Sequence, residues 1–487
     1  MPEPRTWQLT ACSAVLGLAL AAGAVTAAGP WDNGQRKAER ARAAAATPTG
    51  GAHHAPPAAP RRPAPAPSAP GVLRALGTPG TAHQGDLAAV LVPLLADPGL
   101  GPLRTASVVD VTTGKQLYGE GATTAMTPAS TIKIATSVAA LSALGPDHRI
   151  PTTVVAAPDG RTVTLVGGGD PTLDRARLKA LAGDTARALK ARGITAVRLT
   201  YDTSRYQGPA RHPIGPNENI APVSALMLDG GRLGGTSQAE GSGGGSDSGP
   251  APRSADPAGD AASAFAELLT EAGTKVHGAP APGRAPKPAE GTTSGPLART
   301  ESAPLAALVE RTLTNSDNDL AEALARQTAL ARKQPASFTG AGKAVQAELA
   351  ALGLPTAGAR FADGSGLSRD DRLSAALLTG LLTRAADPAR PALRPVLTGL
   401  PVGGFSGTLK GRFDTGPALG GAGLVRAKTG TLTGVNTLAG TVVTADGRLL
   451  AFAFLAGRTP SPYQAQPALD RLSAALAPQA GPVPNLP

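Results

Sequence analysis

Hydrophobic positions in this chain recur at two periods, and the switches between them predict a mixed α and β architecture. Globular patterning begins near Asp86, with the apolar stretch Leu87-Ala88-Ala89-Val90-Leu91-Val92-Pro93-Leu94-Leu95. Alternation at Ser107-Val108-Val109-Asp110-Val111 and Gln116-Leu117-Tyr118-Gly119, around Thr113-Gly114, predicts two paired strands. Residues 130–144 are rich in Ala and Leu and close on Gly145-Pro146, the signature of a buried helix. The texture then changes. Residues 151–155 and 161–166 predict strands around Asp159-Gly160. Gly167-Gly168-Gly169-Asp170-Pro171 predicts a turn, and a helix over 173–192 with a strand over 196–201 completes a small α/β unit. Residues 234–258, with Gly241-Ser242-Gly243-Gly244-Gly245-Ser246, predict a flexible loop. Helical patterns return at 260–272, 305–313 and 320–331. A strand-like stretch at 423–427 precedes a hairpin of 438–444 and 449–455 around Asp446-Gly447, and a helix over 468–477 closes the pattern.

The ends read differently. Residues 9–28 are uncharged and dominated by Ala, Leu, Val and Gly, so residues 1–31 are expected to act as a signal peptide or an uncleaved membrane anchor. Leu9-Thr10-Ala11-Cys12 precedes this apolar run, which argues against lipidation at Cys12. Basic residues just after the run outnumber Arg5 before it, a bias that opposes simple export. Long domains translocate regardless of such charges, and export is the expectation. Residues 32–84 are Ala/Pro-rich with basic punctuation and predict an extended spacer; residues 479–487 form a tail.

Composition narrows the chemistry. The one cysteine excludes a disulfide framework and a thiolate zinc site. The six histidines include no i,i+4 pair, so no zinc-peptidase ligand set is visible and no metal or cofactor is expected. Aromatic residues make up 3% of the chain, too few for a base-stacking surface, which argues against a nucleic-acid partner. The formal charge of +11 is concentrated between residues 33 and 84, where Arg36, Lys37, Arg40, Arg42, Arg61, Arg62 and Arg74 face only Glu39. A basic tether suits anionic lipid or wall polymer, or is merely solvated.

One pair of residues carries the most chemistry. Only 11 of the 46 basic residues are lysines, and Lys133 alone stands three residues after a serine, Ser130. Positions i and i+3 share a helix face, about 5–6 Å apart at Cβ, so the amine can reach the hydroxyl. The positive end of the helix dipole disfavours a lysine charge there and helps the amine act as a base, a task arginine cannot perform. The alternative makes Ser130 an N-cap and Lys133 a surface lysine. Two further phrases favour catalysis: Ser316-Asp317-Asn318, and Lys428-Thr429-Gly430 after the strand-like 423–427. Each occurs once, in the order used by penicillin-binding proteins and serine β-lactamases. The glycine run at 167–169 lacks a following Gly-Lys-Ser/Thr and reads as a turn, not a phosphate loop.

With these motifs placed, the chain resembles the D-alanyl-D-alanine carboxypeptidase/endopeptidase branch of low-molecular-mass penicillin-binding proteins, the branch with a large insert between its first and second motifs. The likeness runs from about residue 86 to 478. It extends to Gly167-Gly168-Gly169-Asp170-Pro171-Thr172-Leu173, Ala221-Pro222-Val223-Ser224-Ala225-Leu226, Asp363-Gly364-Ser365-Gly366-Leu367-Ser368-Arg369 and Gly407-Thr408-Leu409. The resemblance implies an α+β fold: a β-lactamase/transpeptidase-like antiparallel sheet flanked by helices, with a large inserted domain. The catalytic domain would be discontinuous, 85–149 and 302–478, and the insert would span 150–301. Ser130 would be the nucleophile, at the start of a central helix. Lys133 would take its proton, and Ser316 would relay a proton to the departing D-alanine. Asn318 would orient the acyl-side peptide, while Lys428, on an edge strand, and Thr429 would hold the terminal carboxylate. Gly430 would let the strand approach closely, and the N–H groups of Ser130 and Thr431 would form the oxyanion hole. The implied partners are peptidoglycan peptides ending in D-Ala-D-Ala and β-lactams, at an extracytoplasmic location, secreted or membrane-anchored.

A serine β-lactamase shares the three motifs, but the chain has no Glu-x-x-Leu-Asn phrase to supply a class A deacylating glutamate. A non-catalytic wall-binding or antibiotic-sensing protein is the other alternative, and the intact motif residues argue against it. The lack of Gly-x-Ser-x-Gly argues against a generic esterase. The balance of carboxypeptidase and endopeptidase action stays open.

Overall fold

Side chains along a strand alternate between two faces, and here both faces of one sheet are apolar, so helices must cover each. The computed structural model describes residues 84–234, 249–286 and 295–477. The expected signal or anchor, nearly all of the Ala/Pro-rich spacer, most of the Gly/Ser loop and the tail lie outside the described residues. The spacer was expected to reach residue 84, but Gln84 already begins a helix.

In chain order, helix α1 (Gln84–Leu95) leads to strands β1 (Leu103–Asp110), β2 (Gln116–Glu120) and the short β3 (Ala125–Met126), then helix α2 (Ile132–Leu144). Next come β4 (Pro151–Ala156), β5 (Thr162–Val166), α3 (Arg175–Lys190), β6 (Ala196–Asp202), α4 (Pro257–Glu271), β7 (Lys275–Val276), β8 (Ala281–Pro282) and β9 (Ala298–Glu301). The remainder holds α5 (Leu305–Asn315), α6 (Asn318–Ala331), α7 (Phe338–Ala351), β10 (Leu373–Ser374), α8 (Ala375–Ala386), β11 (Arg426–Leu432), β12 (Val435–Val443), β13 (Leu449–Gly457) and α9 (Pro462–Ala474).

The main sheet has five strands in the order β11-β12-β13-β1-β2, every neighbour antiparallel. Strand β13 shows how both faces are filled. Leu450, Phe452, Phe454 and Ala456 pack with Leu91 of α1 and Leu469 and Leu472 of α9. The alternate residues Ala451, Ala453 and Leu455 pack with Val138 of α2 and Leu378 and Leu382 of α8. Small alanines on that face let the helices lie close, and each large apolar side chain buried contributes about 1.5–3 kcal/mol. The fold is α+β, an antiparallel sheet between helical layers, with a second sheet built from the intervening segment.

That second sheet has six strands, β7-β6-β5-β4-β9 with β8 beside β6. Strands β5 and β6 run parallel, so the chain between them must cross over, and α3 makes the crossing. Asp174 caps α3 by accepting from Arg177 N–H at 2.8 Å, and Leu178, Leu181, Phe265 and Leu268 of α3 and α4 fill the core. The segment enters on β4 and leaves on β9, which pair directly, Pro151 opposite Glu301. Entry and exit are therefore side by side, and the segment can be spliced in without disturbing the five-stranded sheet.

Local boundaries differ from the pattern where side-chain roles outweigh propensity. Helix α9 starts at Pro462 behind the Ser461 cap and tolerates Pro467, which forfeits a single helical bond. Helix α4 starts at Pro257, inside the stretch expected to be loop, because Asp256 caps it. Helix α7 carries Gly340 and Gly342, which weaken the helical signal. A Cβ on Gly342 would come within 2.0 Å of Phe361 O, so packing demands the glycine.

Candidate active site

Ser130 lies in a single 3-10 turn, Ala129–Thr131, that runs into α2. Neither Pro128 nor Thr131, at the cap positions of these two elements, makes a side-chain cap bond, and Ala129 sits at φ 47°, a conformation that costs a non-glycine residue about 1–3 kcal/mol. The Ser130 hydroxyl receives a hydrogen bond from Lys133 Nζ at 2.9 Å. The N-cap alternative therefore does not describe this serine.

Lys133 is fully buried, so the surface alternative fails as well. Its Nζ also donates to Asn318 Oδ1 at 2.7 Å and to the Ser365 carbonyl at 2.5 Å. Burial dominates its titration and lowers the amine to about 8, against the pull of Asp363, Glu322, Asp317 and Asp371. A lysine near 8 holds a usable fraction of neutral amine at neutral pH, as a general base requires.

Ser316 closes α5 in the left-handed conformation, φ 59° and ψ 36°, and Asp317 then caps α6 by accepting from Leu320 N–H. This kink aims Ser316 and Asn318 at the same cleft. Lys428, also fully buried, donates to Ser316 Oγ at 2.9 Å and to Thr429 O at 2.8 Å. Burial holds its amine well below the usual lysine range, with the Lys133 charge adding to the effect. Asn318 Nδ2 donates to Asn219 O at 3.0 Å, so its amide is already engaged by the 150–301 segment.

The local pattern put Lys428-Thr429-Gly430 after a strand and the resemblance put Lys428 on an edge strand; the three lie inside the edge strand β11. The strand starts late because Gly423 turns at φ 74° and the N–H groups of Leu424 and Val425 fold back onto Gly421 O. The tight turn at Thr433-Gly434 closes on the Leu432–Val435 pair, and bonded pairs alternate along an antiparallel ladder. The N–H groups of residues 427, 429 and 431 therefore turn away from β12. Ala427 N–H accordingly reaches Pro401 O, and Thr431 N–H is left facing the cleft. Gly430 sets the approach of strand to nucleophile: a Cβ there would lie 2.7 Å from Pro128 O and 2.2 Å from Thr437 Oγ1. That threonine donates to Pro128 O at 2.8 Å, tying the sheet to the Ser130 turn.

These parts meet in a cleft of about 270 Å3 lined by Ser130, Ser316, Asn318, Thr429, Thr431 and Arg232. Thr408 closes one side, accepting from Thr429 Oγ1 at 2.9 Å. A larger groove of about 750 Å3 between β1, β2 and α8 has no such pairing of nucleophile and amine.

The profile of the D-Ala-D-Ala carboxypeptidase 3 (S13) family matches residues 87–251 and 245–476. The chain belongs to that family. It is 40% identical over 459 residues to carboxypeptidase DacB of Mycolicibacterium smegmatis, covering 89% of this chain and 93% of that one. It is 29% identical over 468 residues to a D-alanyl-D-alanine carboxypeptidase of an Actinomadura species, covering 80% and 84%. The fold matches penicillin binding protein 4 (dacB) from Haemophilus influenzae with a TM-score of 0.62 and 23% identity, over 81% of this chain and 98% of that one.

Of the eight residues singled out from the sequence, seven lie on this cleft or in β11, and the eighth, Lys133, reaches Ser130 from the buried first turn of α2. The turn-rich stretch 363–369, also a phrase of the resemblance, was given no role, yet its Ser365 carbonyl holds Lys133. Its signal was the glycines: at Gly366, φ 85°, a Cβ would meet Ala129 O at 2.1 Å. His212, Glu322 and Asp363 bring ligand-type atoms within 4.8 Å of one another, the one such group of metal-binding character among the described residues. Backbone N–H groups already occupy both Asp363 oxygens and Glu322 Oε1, so the trio is first a hydrogen-bonded brace.

Proposed function

We propose that this family member is a serine-type D-Ala-D-Ala carboxypeptidase acting outside the cytoplasm on peptidoglycan stem peptides, and that β-lactams acylate it. The observation that carries the reading is the buried Lys133 amine, bonded at once to Ser130 Oγ and Asn318 Oδ1.

The chemistry follows from the positions. Ser130 Oγ attacks the carbonyl of the penultimate D-Ala as its proton passes to Lys133 Nζ. Thr431 N–H and Ser130 N–H receive the developing oxyanion, each worth a few kcal/mol of barrier. Ser316 accepts from Lys428 and so keeps its own proton to give. It gives that proton to the leaving nitrogen as the C–N bond breaks and takes back the one Lys133 received, so Lys133 is again neutral to accept a proton from the water that hydrolyses the Ser130 ester. Burial disfavours the Lys428 charge in the free cleft. An arriving carboxylate supplies the missing counter-charge and restores the ammonium. Export rests on the apolar run at 9–28; no helix of the described residues is long and apolar enough to cross a membrane.

Intact-mass measurement after penicillin, with D-alanine release from a D-Ala-D-Ala peptide, tests the reading. A stable adduct on Ser130 and peptide turnover are expected. Rapid drug hydrolysis without peptide turnover would assign a β-lactamase, and no adduct a vestigial site.

A further inference from the structure

Residues 212–221, from the segment between β6 and α4, reach the active site at Asn219, which lines its cleft. Asn219 O accepts from Asn318, and Ala221 N–H donates to Asp319 Oδ1 at 2.9 Å. At the start of this stretch His212, buried, places Nε2 2.8 Å from Asp363 Oδ2. Its Nδ1 accepts from Ile214 N–H at 3.2 Å, which leaves Nε2 as the nitrogen that donates to the carboxylate. Phe338 stands edge-on to the ring at 5.2 Å and fixes its plane.

Asp363 is the hub of the turn that holds the base. Its Oδ1 accepts from Ser365 N–H at 3.0 Å and Gly366 N–H at 2.6 Å, and its Oδ2 from Ser368 N–H at 2.7 Å. Glu322 Oε1 accepts from Gly364 and Ser365 N–H, both at 2.9 Å, and Thr136 of α2 donates to Gly364 O at 2.8 Å. Gly366 N–H shares its peptide group with the Ser365 carbonyl, so its bond to Asp363 sets where that carbonyl points, 2.5 Å from Lys133 Nζ, and the other bonds hold the turn around it.

We propose that His212 is a positioning residue for Lys133: through Asp363 and the Ser365 carbonyl, the 150–301 segment sets the orientation and protonation of the base. The inference rests on the reading of Ser130 as nucleophile and Lys133 as its base. The groups that face Lys133 are Asp363, Glu322, Asp317 and Asp371, with Lys428 on the other side of the cleft. Asp363 and Glu322 face His212, and Arg326 faces Glu322. Without the Nε2 donor the Asp363 carboxylate is less favoured and the Ser365 carbonyl loosens. Both changes disfavour the Lys133 ammonium, so its titration moves down in pH while the amine is held less well.

The test is the pH dependence of Ser130 acylation by a chromogenic β-lactam, from about pH 5.5 to about pH 9.5, with the adduct mapped by mass. His212→Leu removes the donor. His212→Gln carries an amide nitrogen near the place of Nε2, whereas His212→Asn reaches only the place of Nδ1. Leu and Asn variants should lose about tenfold in plateau rate and shift the acid limb about half a pH unit or more downward, with Gln close to wild type. A limb that stays put in the Leu and Asn variants, or a Gln variant as impaired as Leu, overturns the inference. If the Leu variant does not fold, the Gln and Asn pair decides. In wild type, histidine 15N spectra should show His212 keeping its Nε2–H across the acid limb; loss of that tautomer on the limb overturns the inference without any variant. A wild type that is not acylated on Ser130 removes the nucleophile reading and this inference together, whereas normal acylation with unshifted variants removes this inference alone.

Discussion

Lys428 Nζ donates to Ser316 Oγ across 2.9 Å, joining the edge strand of the sheet to the left-handed junction of α5 and α6, 112 residues apart in the chain. With Lys133 held between Ser130 and Asn318, the cleft contains two buried lysines and two serines, each amine on one hydroxyl. Burial disfavours the charge on both amines, and the Lys133 charge adds to the effect on Lys428, so the division of labour between them can be tested.

Ser130→Ala should abolish β-lactam labelling and leave the melting temperature nearly unchanged, because the hydroxyl caps no helix. An adduct mapped to another serine in wild type would refute the assignment.

Lys133→Arg should be about as damaging as Lys133→Ala, roughly 10²–10⁴-fold in acylation, because the base must be neutral. Burial lowers Lys133 to about 8, so wild-type acylation should rise with pH through that region as the amine loses its proton. Acylation that is flat from acid to alkaline pH would show that Lys133 acts only as a charge.

If Lys428 holds the terminal carboxylate, Lys428→Ala should lose most of its effect on a substrate whose carboxylate is amidated. Removing either partner breaks one interaction, so removing both should cost little more. kcat/KM for wild type and variant on a D-Ala-D-Ala peptide and its amide decides; additive losses would take Lys428 out of the carboxylate site.

Gly430→Ala should cut acylation by about a hundredfold, since β11 or the Ser130 turn must move to admit a Cβ 2.7 Å from Pro128 O. Wild-type rates in the variant would mean that the strand's approach is not critical.

Asp371 lies against Asp363 in the interior, and burial, with the Asp363 charge, pushes its carboxyl up to about 10. The folded protein then holds a proton that the unfolded chain releases near pH 4, so this group's contribution to stability falls as pH rises across that window. Asp371→Asn keeps the shape and should raise the melting temperature, more at pH 9 than at pH 5, by about 1–2 kcal/mol of stability near neutrality. A variant less stable than wild type at pH 9 would show that the ionised form is the one the fold needs.

The sequence by itself determined the three motifs, their order, the large interruption between the first two and the buried helix that starts at Ser130. These are local: an i,i+3 pair, a polar turn before an apolar run and a glycine in a strand each leave a signature within a few residues. The hairpin of β12 and β13 was legible as well, as two apolar runs around Asp446-Gly447. Only the tertiary structure decided what surrounds the base. The Ser365 carbonyl carries no side-chain signal, and His212 lies far along the chain from both Lys133 and Asp363. Their meeting depends on residues 212–221 lying against both α6, at Asn318 and Asp319, and the turn at 363–368, at Asp363. The burial that brings Lys133 to about 8 and Asp371 to about 10 likewise belongs to no single residue. It is a property of groups that the fold draws out of water together, which no local pattern encodes.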